Sequence, residues 1–115
     1  MIEVKNEVMA LDSIKSIVSI SAKKYKDINS VILFGSYAKG NATGSSDIDL
    51  MIELSDTYLD NENTEEDAYW RFWEDLEKNF QKKVDLLAKD GVESSLIGYG
   101  LLDGGIKIYE KEGLN

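Results

Sequence analysis

Hydrophobic positions recur along the chain at two different periods, and the switches between them divide it into elements. Leu11, Ile14, Val18 and Tyr25, with Ile17 beside them, fall at helical spacing and predict an amphipathic helix over the first twenty-odd residues. Asp27 to Ser30 reads as a polar break. Val31 to Phe34 (VILF) is an unbroken apolar run of strand formers, the pattern of a buried strand. A Gly-, Ser- and Asn-rich stretch from Gly35 to Ser46 follows, and then Asp47 to Leu54 (DIDLMIEL) alternates as a second strand.

Asp56 to Asn63 is acidic and polar, a surface loop. From Glu65 to Lys83 the helical period returns, with Tyr69, Phe72, Trp73, Leu76 and Phe80 along one face. Asn63 or Thr64 is placed to cap that helix, and Glu65, Glu66 and Asp67 suit the positive end of its dipole. Trp70 stands about 100° off the apolar direction, so it either packs at the edge of the stripe or is exposed as an anchor for a partner. Val84 to Ala88 (VDLLA) predicts a third strand. Glu93 to Leu102 predicts a helix weakened by Gly98 and Gly100, and Ile106 to Tyr109 a last strand after a turn at Asp103 to Gly105. Helix, strand, strand, helix, strand, helix, strand is the order of a mixed α/β domain. No repeat, low-complexity tract or linker interrupts it, so residues 1–115 are expected to form a single domain.

Composition narrows the chemistry. Neither cysteine nor histidine occurs, which removes disulfides, thiolate and imidazole metal sites, the cysteine nucleophile and the commonest general base. Any metal must sit on oxygen ligands, which points to magnesium and its relatives. The apolar runs are only a few residues long, so a membrane-spanning helix is excluded. No basic start with an apolar h-region opens the chain, so a signal peptide is not expected and a cytoplasmic location is. Thirteen basic against 22 acidic side chains give a net charge of −9, which repels a nucleic-acid backbone and disfavours generic DNA or RNA binding. A basic protein partner is the more natural companion, unless the acidity serves solubility alone.

The informative stretch is FGSYAKGNATGSSDIDLMI, Phe34 to Ile52. Asp47 and Asp49 are two apart on a predicted strand, so their side chains leave one face with Cα atoms about 6–7 Å apart. Carboxylates at that reach can share one divalent ion or bridge a pair about 3.5–4 Å apart; on a plain edge strand they would simply face water. Gly35-Ser36 ends the preceding strand, where a glycine lets backbone N–H groups approach an anion and a serine adds a hydroxyl. A helical turn starting there would add partial positive charge, and Lys39 a full one. The ordinary alternative is a simple turn. Asp85 sits between Val84 and Leu86, and a helical crossover would lay its strand parallel to the second one, beside Asp47 and Asp49.

Gly35-Ser36, ten residues, then Asp47-Ile48-Asp49 resembles the signature of the DNA polymerase β-like nucleotidyltransferase superfamily. In size the chain looks like the minimal nucleotidyltransferases, and GIKIYE resembles the family's closing strand. The resemblance implies a mixed sheet of three to four strands flanked by helices. It also implies that Asp47 and Asp49 hold Mg²⁺, with two ions expected, and that Gly35 and Ser36 hold the nucleotide phosphates. Asp85 matches the third carboxylate, either a metal ligand or the base that activates the attacking hydroxyl. Lys39 stands where the family often carries arginine, keeping the charge without the bidentate fork. Ser46 fits the pattern just before the first carboxylate.

The implied reaction is attack of an acceptor hydroxyl on the α-phosphorus of a nucleoside triphosphate, ATP by resemblance. Minimal members resemble the antitoxin of a two-gene module whose toxin is a HEPN-type ribonuclease. There AMP passes to a hydroxyl of the toxin, typically a tyrosine, within a hetero-oligomer. The alternatives are an antitoxin acting by binding alone, or transfer to a small molecule such as an aminoglycoside.

Overall fold

The computed structural model describes residues 8–55, 65–88 and 105–112, without the side chains of 65–67. In chain order the elements are α1 (Leu11–Ala22), β1 (Ile28–Phe34), α2 (Gly35–Lys39), β2 (Ile48–Leu54), α3 (Glu65–Phe80), β3 (Val84–Ala88) and β4 (Ile106–Glu110). The predicted helix at Glu93 to Leu102, the loop at Asp56 to Asn63, both capping candidates of α3 and most of the turn before β4 lie outside the described residues.

The four strands form one mixed sheet in the order β3-β2-β1-β4. β1 runs antiparallel to β2, with Val31 opposite Ile52, and antiparallel to β4, with Val31 opposite Tyr109. β2 and β3 are parallel, as the connection through α3 requires. Because strand side chains alternate between faces, each strand divides its residues between two environments. Val31, Leu33, Ile48, Leu50, Ile52, Val84, Leu86 and Ile108 face the helices, packing in one core with Ile14, Val18 and Ala22 of α1 and Phe72, Leu76 and Phe80 of α3. On the other face Phe34 and Met51 make a small separate cluster with Ile32 and Leu87. Asp49 and Asp85 share the parity of Met51 and Leu87, so they belong to this second face and not to the main core.

Several boundaries differ from the sequence pattern. β1 begins at Ile28, inside the expected polar break. Ile28 is fully buried and Ser30 nearly so, and the Ser30 hydroxyl donates to Glu53 Oε1 of β2 at 3.0 Å. Ser55 extends the pairing, its amide donating to the Asp27 carbonyl at 2.8 Å and its hydroxyl to Asp27 Oδ1 at 2.9 Å. Polar residues thus continue the strand because each finds a partner across it. Tyr25 lies beyond the end of α1. Its ring meets Phe72 edge-on at 6.1 Å and its hydroxyl donates to Asp75 Oδ2 at 2.6 Å, tying the α1–β1 turn to α3. Burial, then that bond to Asp75, pushes the Tyr25 hydroxyl up to about 12. α3 stops at Phe80 rather than Lys83, where Gln81 turns into the left-handed region at φ 54°.

Candidate active site

Three adjacent strands bring Phe34, Asp49 and Asp85 into one row. Phe34 is the register partner of Asp49 across β1 and β2, and Asp49 is the partner of Asp85 across β2 and β3. Asp47 stands just ahead of β2 instead of within it. That approach is anchored by the Ile48 amide, which donates to the Lys83 carbonyl at 3.1 Å.

Gly35 closes the row on the β1 side. Its φ of +73° is a conformation that side-chain-bearing residues rarely adopt. A Cβ there would lie 3.0 Å from Asp49 Cγ and closer still to its Oδ2. Glycine is therefore required twice, by the turn into α2 and by the carboxylate resting against it.

The Asp49 carboxyl is strongly perturbed. Burial first, then a hydrogen bond with Asp85 and the charges of Asp85 and Asp47, raise its carboxyl to about 6. A hydrogen bond thus links the Asp49 carboxyl to Asp85, with Asp47 within electrostatic reach. Among the described residues no three acidic side chains converge closely enough to hold an ion as they stand. The donor set nevertheless fits a hard cation: oxygen only, negatively charged, and carrying a repulsion that a cation relieves.

The predicted nucleotide-side residues are placed unevenly. Gly35 and Ser36 open α2 beside the carboxylates, and the Ser36 carbonyl accepts from the amides of Gly40 and Asn41, closing that helix after five residues. Lys39 is exposed on the last turn of α2. The Ser46 hydroxyl accepts from the Thr43 amide at 2.8 Å, so it orders its own loop. Lys82 fastens the same loop, donating from Nζ to the Gly44 carbonyl at 2.6 Å.

A supporting set escaped the sequence pattern. Tyr69, Trp73 and Glu77 follow one another at four-residue spacing on α3, and all three reach β3. The Tyr69 hydroxyl donates to the Leu86 carbonyl, and Trp73 Nε1 donates to the Val84 carbonyl at 3.0 Å. The Val84 amide donates to Glu77 Oε2 at 2.9 Å. Within the four-stranded sheet β3 is an edge strand, and these side chains satisfy three of the backbone groups on its outer edge, the amide and carbonyl of Val84 and the carbonyl of Leu86. They hold both residues that flank Asp85. The spacing was visible in the sequence; Tyr69 and Trp73 read there as core alone.

Residues 15–113 match the family described as polymerase beta, nucleotidyltransferase. "Putative protein adenylyltransferase MJ1379" of Methanocaldococcus jannaschii is 37% identical over 90 residues, covering 76% of this chain and 86% of its own. "Putative protein adenylyltransferase MJ1215" of the same organism is 32% identical over 93 residues, covering 76% of this chain and 99% of its own. A crystal structure described as "the toxin-antitoxin with AMP-PNP" superimposes with a TM-score of 0.63 at 23% identity, over 89% of this chain and 76% of that one, a likeness of fold. The chain belongs to the polymerase β nucleotidyltransferase family, and its enzyme class is nucleotidyltransferase. Among the described residues no helix is long and apolar enough to cross a membrane.

Proposed function

We propose that the protein, acting in the cytoplasm as one domain over residues 1–115, transfers AMP from ATP to a hydroxyl of a partner protein. The partner in this reading is a HEPN-type toxin that the modification neutralises. The observation that carries the proposal is the row of Gly35, Asp49 and Asp85 at neighbouring strand ends, with Asp47 close enough to act on Asp49. The names of the two M. jannaschii relatives support a protein acceptor. The toxin–antitoxin neighbour with its nucleotide analogue supports a toxin partner and ATP.

In this mechanism the acceptor oxygen forms a bond to the α-phosphorus, the bond from that phosphorus to the bridging oxygen breaks, and pyrophosphate leaves. The acceptor's proton passes to Asp85, since the chain has no histidine to take it. Gly35 and the Ser36 hydroxyl hold the phosphates, Lys39 adds charge beside them, and Ser46 keeps the approach to Asp47 ordered. Asp47, Asp49 and Asp85 would hold Mg²⁺, which when bound neutralises the triphosphate and lowers the pKa of the acceptor hydroxyl.

Intact mass spectrometry of the candidate toxin, co-expressed with this protein or with its Asp49→Asn variant, tests the reading. An adenylyl adduct that appears only with the wild type supports it. A partner that is tightly bound and inhibited but unmodified overturns it in favour of an antitoxin that works by binding.

A further inference from the structure

The carboxylate row has two flanks, and among the described residues one of them is left open. Gly35 and α2 close the β1 side. On the β3 side lies a cleft of about 460 Å³, lined by Asp49, Asp85 and Phe34 from the sheet and by Tyr69, Trp70 and Trp73 from α3. Two of those aromatic residues are held by their polar tips, Tyr69 on the Leu86 carbonyl and Trp73 on the Val84 carbonyl. Trp70 packs edge-to-face against both, with ring centroids 5.0 Å from Tyr69 and 5.9 Å from Trp73 and interplanar angles of 86° and 90°. It nevertheless stays 53% exposed. A large apolar ring, fixed in orientation by two anchored neighbours and left half open beside a reactive carboxylate, is built to receive something flat.

Displacement at phosphorus assigns that something. The attacking and leaving oxygens of an in-line transfer approach from opposite sides. With the triphosphate on the Gly35 side, the acceptor has the β3 side, where Asp85 waits for its proton.

We propose that this cleft is the acceptor site and that Trp70 is an acceptor-positioning residue, packing against an aromatic ring that carries the hydroxyl to be modified. The proposal rests on the transfer reading above and adds where the acceptor sits and what holds it. A phenol-type ring lying along Trp70 would cover the open half of the indole while its hydroxyl extends toward the Asp49–Asp85 pair. A short aliphatic hydroxyl would leave that wall wet. The phenolic oxygen gains the bond to phosphorus, its proton goes to Asp85, and pyrophosphate departs on the opposite flank.

The test uses N-acetyl-tyrosinamide as the probe and has a binding arm and a kinetic arm. In the wild-type protein without nucleotide, the probe should shift the Trp70 indole N–H resonance, which is assigned by its absence in Trp70→Phe. N-acetyl-serinamide should not shift it. With ATP and Mg²⁺, Trp70→Ala should raise the KM for N-acetyl-tyrosinamide at least tenfold and leave the KM for ATP within twofold, and Trp70→Phe should recover most of the loss. An unmoved indole resonance, or equal shifts with both probes, overturns the proposal. So does a rise in the KM for ATP, which would make this wall the seat of the nucleobase. If the probe binds at Trp70 but no nucleotide is transferred, the transfer reading fails and the aromatic site stands. If transfer proceeds and Trp70→Ala changes nothing, the site fails and the transfer reading stands.

Discussion

Asp49 is pressed from three sides: by the Gly35 backbone, by Asp85 across the parallel strands, and by the charge of Asp47. Two consequences follow at this residue. In the proposed reaction Asp49→Asn would remove a negative charge that holds Mg²⁺, so transfer should fall by two to three orders of magnitude, or about 3–4 kcal/mol. Steady-state assays with ATP and the acceptor measure this; a rate near wild type would remove Asp49 from the metal site. The second consequence concerns pH. The Asp49 carboxyl rises from 3.8 to about 6 on folding, so the folded chain holds this proton more tightly than the unfolded one. Its contribution to stability is therefore fully present below the unfolded value and is lost as pH climbs through about 6. Denaturant melts without metal across this window should show wild type losing stability relative to Asp49→Asn, with the gap levelling off above the folded value. Gly35→Ala is the other residue-scale probe. The left-handed turn costs a side-chain-bearing residue about 1–2 kcal/mol, and the added carbon meets the Asp49 carboxylate. Chemical denaturation should register at least that loss, and transfer should fall with it.

Between α3 and β3 the decisive contacts are three side chains at four-residue spacing. Glu77 accepts the amide of Val84, a residue only 2% exposed, so Glu77→Ala strands a buried donor. The expected cost is about 1–3 kcal/mol, with a drop in transfer because the strand bearing Asp85 is less firmly held. Glu77→Gln keeps an acceptor oxygen and should recover most of both, which urea melts and rate measurements on the pair would establish. These elements also show what could be read beforehand. VDLLA announced a short strand with one acid in it, and the crossover helix before it implied parallel pairing, so the neighbourhood of Asp85 and Asp49 was legible. The start of β1 was not, because Asn29 and Ser30 look like loop residues until the cross-strand partners of Ser30 and its neighbours are known. α2 spans five residues, too few for any period to emerge. Nothing in the helical pattern singles out Glu77, and its role exists only because the edge of β3 lies beside it.

The whole molecule carries a charge of −9, and its carboxylate row adds local repulsion to that excess. Binding of Mg²⁺ and ATP to the folded chain alone should raise stability by about 2.7 kcal/mol at a hundredfold excess over the dissociation constant. Thermal melts should show that shift in the wild type and little of it in Asp49→Asn; a wild type indifferent to both ligands would deny the site its metal-nucleotide. The side-chain ladder on α3 has a further effect on how the molecule comes apart. A five-residue strand at a sheet margin ordinarily frays, its amides trading deuterium through small local openings. Here β3 cannot detach unless Tyr69, Trp73 and Glu77 also release it, and Phe72, Leu76 and Phe80 on that same helix are rooted in the main core. Helix and strand therefore form one cooperative unit, and the Val84 amide should exchange at a rate set by the opening of that whole unit, so the Asp85 end of the carboxylate row lets go only when α3 leaves the core.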